Sequence, residues 1–328
     1  MISIKKYNDN LQYDWDDFIK KSKHGTIFHN QKFLSYHILK KQRDSSLMFY
    51  SKKELLAVLP AAIINKKNKK ILISHPGASF GGFIIKKINY QICENVLIAF
   101  EKHCINNNIS QCKIIQTPYY YNLNSDNLVE YLMTINNYKT SENYISHVVY
   151  LNNKNPLTYL NKRKQRYIKN NFLNKKLYQF NSTNDVSSFY NLLIQNKKKF
   201  GAMPTHSLNE IKKLLFLYPK RCFLKGTFYN KEMIGGVFIF ITSQNSALLF
   251  YNVVSSRHTS ANIGSYQIYE CINFCLNESL NMLDLGVSHL PNNKNPLDPK
   301  LSLIKFKEQC GGVGVMRNIY IKFFNKND

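Results

Sequence analysis

Two stretches of the chain, about 180 residues apart, carry the same order of hydrophobic and polar positions. The first reads SLMFYSKKELLAVLPAAIINKKNKKILISHPGAS and the second FLKGTFYNKEMIGGVFIFITSQNSALLFYNVVSS. Each opens with a short apolar strand ending in Phe-Tyr (Phe49 and Tyr50; Phe228 and Tyr229) and a polar turn with Lys-Glu (Lys53 and Glu54; Lys231 and Glu232). A second strand, a polar turn and a third strand follow in both. Downstream, NYQICENVLIAFEKHCINNNISQCKIIQTP and GSYQIYECINFCLNESLNMLDLG each read as an amphipathic helix, a polar break and a buried strand. Upstream, DWDDFIKKSK with NQKFLSYHILKK, and DVSSFYNLLIQNKKKF with SLNEIKKLLFLYP, supply a pair of helices before the first strand; Asp185 and Ser207 stand at cap positions.

Two helices, a three-strand meander, a helix and a further strand, present twice, predict a duplicated α/β (α+β) unit with mixed sheets flanked by helices. The polar, proline-containing YLNNKNPL at 150–157 puts the boundary there, giving domains 1–152 and 153–328. Near the end, LIKFKEQCGGVG at 303–314 alternates like a strand that presents Lys307, and Gly311 and Gly312 permit a turn into the closing strand VMRNIYIKFF. That last strand could pack back toward the first domain.

Composition narrows the class. With 328 residues, 44% of them hydrophobic, the chain can bury two ordinary cores. Its longest uncharged apolar stretch, LLAVLPAAII at 55–64, falls short of a membrane span, and the acidic start MISIKKYNDNLQYDWDD is unlike a signal peptide. Seven cysteines without a C-x-x-C pair fit a reducing cytoplasm; Cys271 and Cys275 read as core thiols, and no metal is assigned. A net charge of +25 would attract polyanions, but nearly all of the excess is lysine, whose A-rich codons also track genome composition.

Candidate chemistry sits at the element ends. The loop SSRHTSANIGSY joins the second meander to its helix, and Ser256, Arg257, Ser260, Asn262 and Gly264 there either cradle a phosphate at the helix N-terminus or form a plain loop. SHPGASFGGF in the first half has the small residues that close backbone approach to a ligand needs. In YLNKRKQRYIKNNFLNKKLYQF, Arg163 and Arg166 share a helix face that either binds a phosphate or is solvated. Asp284, in a strand suited to burial, needs a partner: it either orients a substrate amine or pairs with Lys307 or Arg317.

The motifs SHPGASFGGF, PTHSLNEI, LDLGVS and LIKFKEQCGG, in this order on a matching repeat, resemble a tandem-GNAT family. It includes the Fem-type peptidyltransferases and related N-acyltransferases of cell-envelope loci, and the similarity runs from about Trp15 to Tyr320. The resemblance implies two GNAT-like (acyl-CoA N-acyltransferase) domains and transfer of an acyl or aminoacyl group to an amine of an amino sugar, peptide or nucleotide-linked sugar. It implies acyl-CoA as donor, with aminoacyl-tRNA as the alternative, and an acceptor that is a small molecule or is linked to nucleotide or lipid. Lys307 and Asp284 become the catalytic candidates. His75, Ser79, Phe80, Gly81, Gly82, Arg163, Arg166, His206 and Ser288 become substrate-binding candidates, and Arg257, Ser260, Asn262 and Gly264 the donor-phosphate set. His206 is equally a capping or packing histidine. One departure counts against a peptidoglycan-bridging role: Thr117-Pro118 stands where Fem peptidyltransferases often carry Asp-Pro. The reading from a different class is a non-catalytic duplicate that binds polyanions, such as tRNA or an anionic membrane surface.

Overall fold

The computed structural model describes residues 2–36, 43–121, 126–175, 177–289 and 298–324, without the side chains of Arg43, Thr259 and Ser260. The chain forms two compact units, Met1–Asn143 with Arg317–Asp328, and Tyr144–Met316.

The first unit runs β1 (Ile2–Lys6), α1 (Gln12–Lys21), α2 (Gln31–Leu34), β2 (Arg43–Asp44), β3 (Leu47–Ser51), β4 (Glu54–Leu59), β5 (Ala62–Lys66) and β6 (Lys69–Ser74). It continues through β7 (Ile84–Ile85), α3 (Tyr90–Asn106), β8 (Ile109–Ile115) and α4 (Leu128–Ile135) into β9 (Lys139–Tyr150), a strand within which the division falls. The second unit adds α5 (Lys162–Ile168), β10 (Tyr178–Ser182), α6 (Val186–Lys198), α7 (Leu208–Leu217), β11 (Cys222–Tyr229), β12 (Glu232–Ile241) and β13 (Ser246–Val254). Then come α8 (Ile263–Asn277), β14 (Met282–Val287), α9 (Leu301–Gln309) and β15 (Val313–Phe323), whose Ile319–Phe323 pair antiparallel with β8 in the first unit.

The meanders form for local reasons. The hairpins β5–β6 and β11–β12 each close on two residues with positive φ, Lys67 and Asn68 (47° and 61°), and Asn230 and Lys231 (49° and 67°). That is the type I′ geometry whose twist matches the flanking strands. Pro60, which has no N–H, interrupts what reads in sequence as one second strand. Its two halves join different pairings, β4 with β3 and β7, and β5 with β6 and β2. Caps fall as expected: Asp185 accepts from the Ser188 amide at 2.9 Å, and Ser207 and Glu210 form a reciprocal box at the start of α7.

Each unit has its own core. In the first, Phe49, Phe83 and Phe100 pack between β3 and α3, and Trp15 donates its indole N–H to the His29 carbonyl at 2.7 Å. In the second, α8 lays Ile268, Cys271, Ile272 and Cys275 over β12–β14. All seven cysteines are free and buried.

One expected element is different. Residues 301–309 are the helix α9, not a strand, and Gly311 and Gly312 form its C-terminal cap. The Gly312 amide donates to the Lys307 carbonyl at 2.9 Å and the Gly311 amide to the Glu308 carbonyl at 3.0 Å, with Gly311 at φ +89°. This is the Schellman pattern, and the double glycine serves the helix rather than a hairpin.

Two imidazoles are locked neutral inside the first unit. His24 Nε2 accepts from the Ile85 amide at 3.0 Å; His29 Nδ1 accepts from the Thr26 amide at 3.2 Å, so its Nε2–H faces the Gly81 carbonyl at 3.0 Å. Burial pushes both down to about 4. Because the folded values lie below the unfolded one near 6.5, their stabilising contribution is full above pH 6.5 and is lost as pH falls toward 4. Each can cost roughly 3 kcal/mol over that window. Urea midpoints should therefore drop steeply from pH 6.5 to 4.5, with a shallower slope in His24→Gln, which keeps an acceptor without titrating. A flat profile, or an unchanged slope in that variant, contradicts this assignment.

Candidate functional site

In the second unit, the parallel pair β13–β14 runs from Ser246↔Met282 to Leu248↔Asp284 and, among the described residues, goes no further. The cause lies in β13. Its register with β12 slips between Phe238↔Tyr251 and Ile239↔Leu249, leaving Phe250 as the extra residue of a bulge just past the last β14 pair. A bulge bends and twists its strand, so β13 is steered away and an open wedge of strand edge remains. The corresponding strands of the first unit stay closed: β6 pairs with β8 from Lys70↔Ile109 to Ser74↔Ile114, and Gly81 bridges to Gln116 beyond.

A polar cluster finishes the free end of β14. Asp284, fully buried, accepts at Oδ1 from Ser146 Oγ (3.0 Å) and the Gly286 amide (2.6 Å). Lys307, from the last turn of α9, is 5% exposed and donates through Nζ to the carbonyls of Gly286 (2.7 Å) and Val287 (2.8 Å). Carboxylate and ammonium thus grip opposite ends of the Gly286 residue, whose φ of +74° suits glycine. Ser288 is buried beside them, its amide donating to the Ile145 carbonyl and its Oγ lying 2.8 Å from His147 Nδ1. His147 Nε2 has no hydrogen bond among the described residues. Burial first, then the Lys307 charge, lowers its pKa, against smaller opposing effects of Glu308 and Asp284, so the ring is held as free base.

At the other side of the wedge, α8 begins at Asn262, which adopts a left-handed conformation (φ 49°) and does not cap the helix with its side chain. Its Oδ1 is instead taken by Lys164 Nζ at 2.6 Å. Lys164 comes from α5, lies over the Phe306 ring, and has its pKa lowered by burial first and Arg163 as a smaller cause. Nearby, Asn252 donates to the Gly264 carbonyl at 3.1 Å while its Oδ1 has no hydrogen-bond partner among the described residues, and the fully buried Ser265 hydroxyl faces the Cys310 thiol. A Cβ at Gly264 would meet only ordinary contacts, so the chain itself does not demand glycine there. Arg257, Arg163 and Arg166 are exposed, and the side chain of Ser260 lies outside the described residues.

The first-unit motif is placed differently from its sequence reading. Phe80 is fully buried against Phe28 and Tyr121, and the Gly81 carbonyl accepts from His29 and from Thr117 Oγ1 (2.9 Å). A Cβ on Gly82 would sit 2.1 Å from Gln116 Oε1 and one on Gly81 3.0 Å from the His75 amide nitrogen, so close packing within the unit requires both glycines. Ser79 offers its carbonyl to Arg317 (2.7 Å), and His75 is half-buried with Nδ1 at 2.8 Å from the Pro76 carbonyl. His206 is also a packing residue, 2% exposed, with Nδ1 at 2.9 Å from Tyr251 Oη and its ring against Phe250. No group of three or more His, Cys, Asp or Glu among the described residues could hold a metal.

A helix pair, a meander whose third strand parts from the strand that follows the next helix, and the same order repeated in the other unit define the tandem GNAT fold. No family profile matches the sequence and no curated protein matches it. Solved structures do. FemX aligns at a TM-score of 0.76 and 10% identity, covering 99% of this chain and 98% of FemX. A tandem GNAT protein from the clavulanic acid biosynthesis pathway aligns at 0.57 and 9%, covering 98% of both. The C-terminal domain of a putative lysylphosphatidylglycerol synthetase from Agrobacterium fabrum aligns at 0.58 and 7%, covering 96% of this chain and 92% of that one. At such identities the shared property is the fold.

His147 and Lys164 are the site residues that sequence reasoning passed over. His147 sits in an apolar strand, ISHVVYL, where a histidine reads as packing. Lys164 lies between Arg163 and Arg166, whose charge marks the segment in sequence, and it is the one turned inward. A usable signal existed only for α9: Gly-Gly after a run ending in Lys-Glu is a helix stop.

Removing the ammonium leaves two carbonyls at the end of β14 without their charged donor. Lys307→Met should therefore cost roughly 2–4 kcal/mol, read as a lowered denaturant midpoint with a native circular dichroism spectrum at pH 7.5. An unchanged midpoint would mean that Lys307 does not hold the β14 end.

Proposed function

We propose that the second unit is an N-acyltransferase site that takes an acyl-CoA donor and passes its acyl group to an amine. The observation that carries this is the parted β13–β14 pair with Lys307 and His147 at the free end of β14. An open strand edge can pair with the amides of an extended ligand, and Asn252 Oδ1 offers a buried acceptor for such an N–H. The uncapped start of α8 and the half-buried Lys164 suit the donor phosphates. The first unit, with β6 and β8 closed, takes no donor in this reading.

The chemistry needs a bond from amine nitrogen to acyl carbon, loss of the donor's carbon–sulfur bond, and a place for the amine proton. His147 is the acceptor of that proton at Nε2, with Nδ1–H donating to Ser288; the departing thiolate takes a proton in turn. The Lys307 charge beside this end of the wedge favours the developing oxyanion. A cell-envelope molecule is the acceptor class we favour, because a putative lysylphosphatidylglycerol synthetase, named for an envelope lipid, shares the fold. A second reading keeps the site and uses aminoacyl-tRNA, favoured by the exposed cations Lys162, Arg163, Arg166 and Lys169 along α5 and the turn after it.

The test combines mass spectrometry of the purified chain for co-purified donors with acyl transfer from acetyl-CoA to a panel of amino sugars and amines. Transfer should show an acid limb in kcat/KM below pH 6.5, and His147→Gln should lose that limb and about a hundredfold or more in rate. Lys164→Glu should raise KM for acetyl-CoA about tenfold or more with a smaller change in kcat. No transfer from any acyl-CoA counts against the transferase reading; transfer with an unaltered pH profile in His147→Gln removes only the histidine.

A further inference from the structure

The run NKKKFGAMP, which the catalytic reading leaves unused, forms the end of α6 and the loop to α7. It exposes apolar side chains where a soluble surface would bury them: Phe200 is 50% and Met203 67% exposed, on either side of Gly201 at φ +62°. Lys198 and Lys199 are exposed directly before them, and Lys212 on the outer stripe of α7 precedes Phe216, which is 83% exposed, by one helical turn. The surrounding charge has one sign. From Val186 to Lys231 the chain has nine Lys and Arg and a single acid, Glu210, which is buried in the α7 cap.

Charge alone would fit any polyanion, and exposed apolar groups alone would fit any greasy partner. Their interleaving at a loop tip fits a surface that is anionic outside and hydrocarbon just beneath, where lysines meet head groups and aromatic or thioether side chains enter the acyl boundary. We infer that the α6–α7 loop of the second unit docks peripherally on an anionic bilayer, with Phe200 and Met203 inserted and Lys198, Lys199 and Lys212 on the head groups. This goes beyond the transferase reading and does not depend on it. Among the described residues no helix is long and apolar enough to cross a membrane, so the contact is one of surface attachment.

The experiment is co-sedimentation of the full chain with vesicles of phosphatidylcholine alone or mixed 3:1 with phosphatidylglycerol, at low and high salt. Binding should require the anionic lipid and fall as salt rises. Phe200→Ser with Met203→Ser should weaken it about tenfold or more, and so should Lys198→Glu with Lys199→Glu, since each basic residue near the surface is worth about fivefold. The same charge change at Lys66 and Lys67, exposed on the β5–β6 turn of the first unit, should leave binding within twofold. All six residues are exposed, so folding is not at stake. No binding to anionic vesicles overturns the inference, as does equal loss in the Lys66/Lys67 variant. If the lysine pair mattered and the Phe200/Met203 pair did not, the loop would be a general polyanion site and the bilayer assignment would fall.

Discussion

Two parallel strands that part leave peptide groups with no ladder to join, and those groups must find partners or the strands will not stay apart. The second unit meets this constraint at one residue, Gly286. Its amide goes to the buried Asp284 carboxylate and its carbonyl to the Lys307 ammonium. The bulge at Phe250 turns β13 away, α9 delivers the lysine, and the Schellman glycines end α9 so that its last turn lies over β14. Ser288 and His147 are then fixed by the same turn, one through the Ile145 carbonyl and the other through Ser288 itself.

The units began from one plan and now differ in what fills the corresponding place. In the first, His29, Thr117 and Gly81 form a closed, neutral network that a carboxylate at position 117 would burden with an uncompensated buried charge. The glycines there pack backbone against backbone. In the second, the buried Oδ1 of Asn252 lies near a helix start with a cation on Asn262 beside it. A duplicated fold thus keeps its scaffold in both halves, while the open strand edge survives in one.

Much of the scaffold was legible because it rests on short-range rules. Alternation predicts the meander strands, Asp185 and Ser207 announce their helices, and the repeat links the two units. The site was less legible. Lys307 and Asp284 stand out as charged residues among apolar neighbours, yet residues 304–307 alternate like a strand over too few positions to separate the strand period from the helix period. His147 and Lys164 acquire meaning only from neighbours far away in sequence, Ser288 and Asn262, which no local pattern supplies. In SHPGASFGGF the small residues are legible and their neighbour is not. Small residues permit close approach, but what approaches here is the Gln116 side chain and the His75 backbone.

The central claim is that the wedge of the second unit, alone, receives the donor. Hydrogen–deuterium exchange of the full chain with and without acetyl-CoA addresses it most directly, because a ligand on an open strand edge slows the amides it pairs with or covers. Slowed exchange in peptides spanning Leu249–Val254, Ile263–Tyr266 and Leu285–Ser288, with residues 70–83 and 109–116 unchanged, is the result the account predicts. Protection centred on the β6–β8 pair of the first unit, with none along β13, would contradict it.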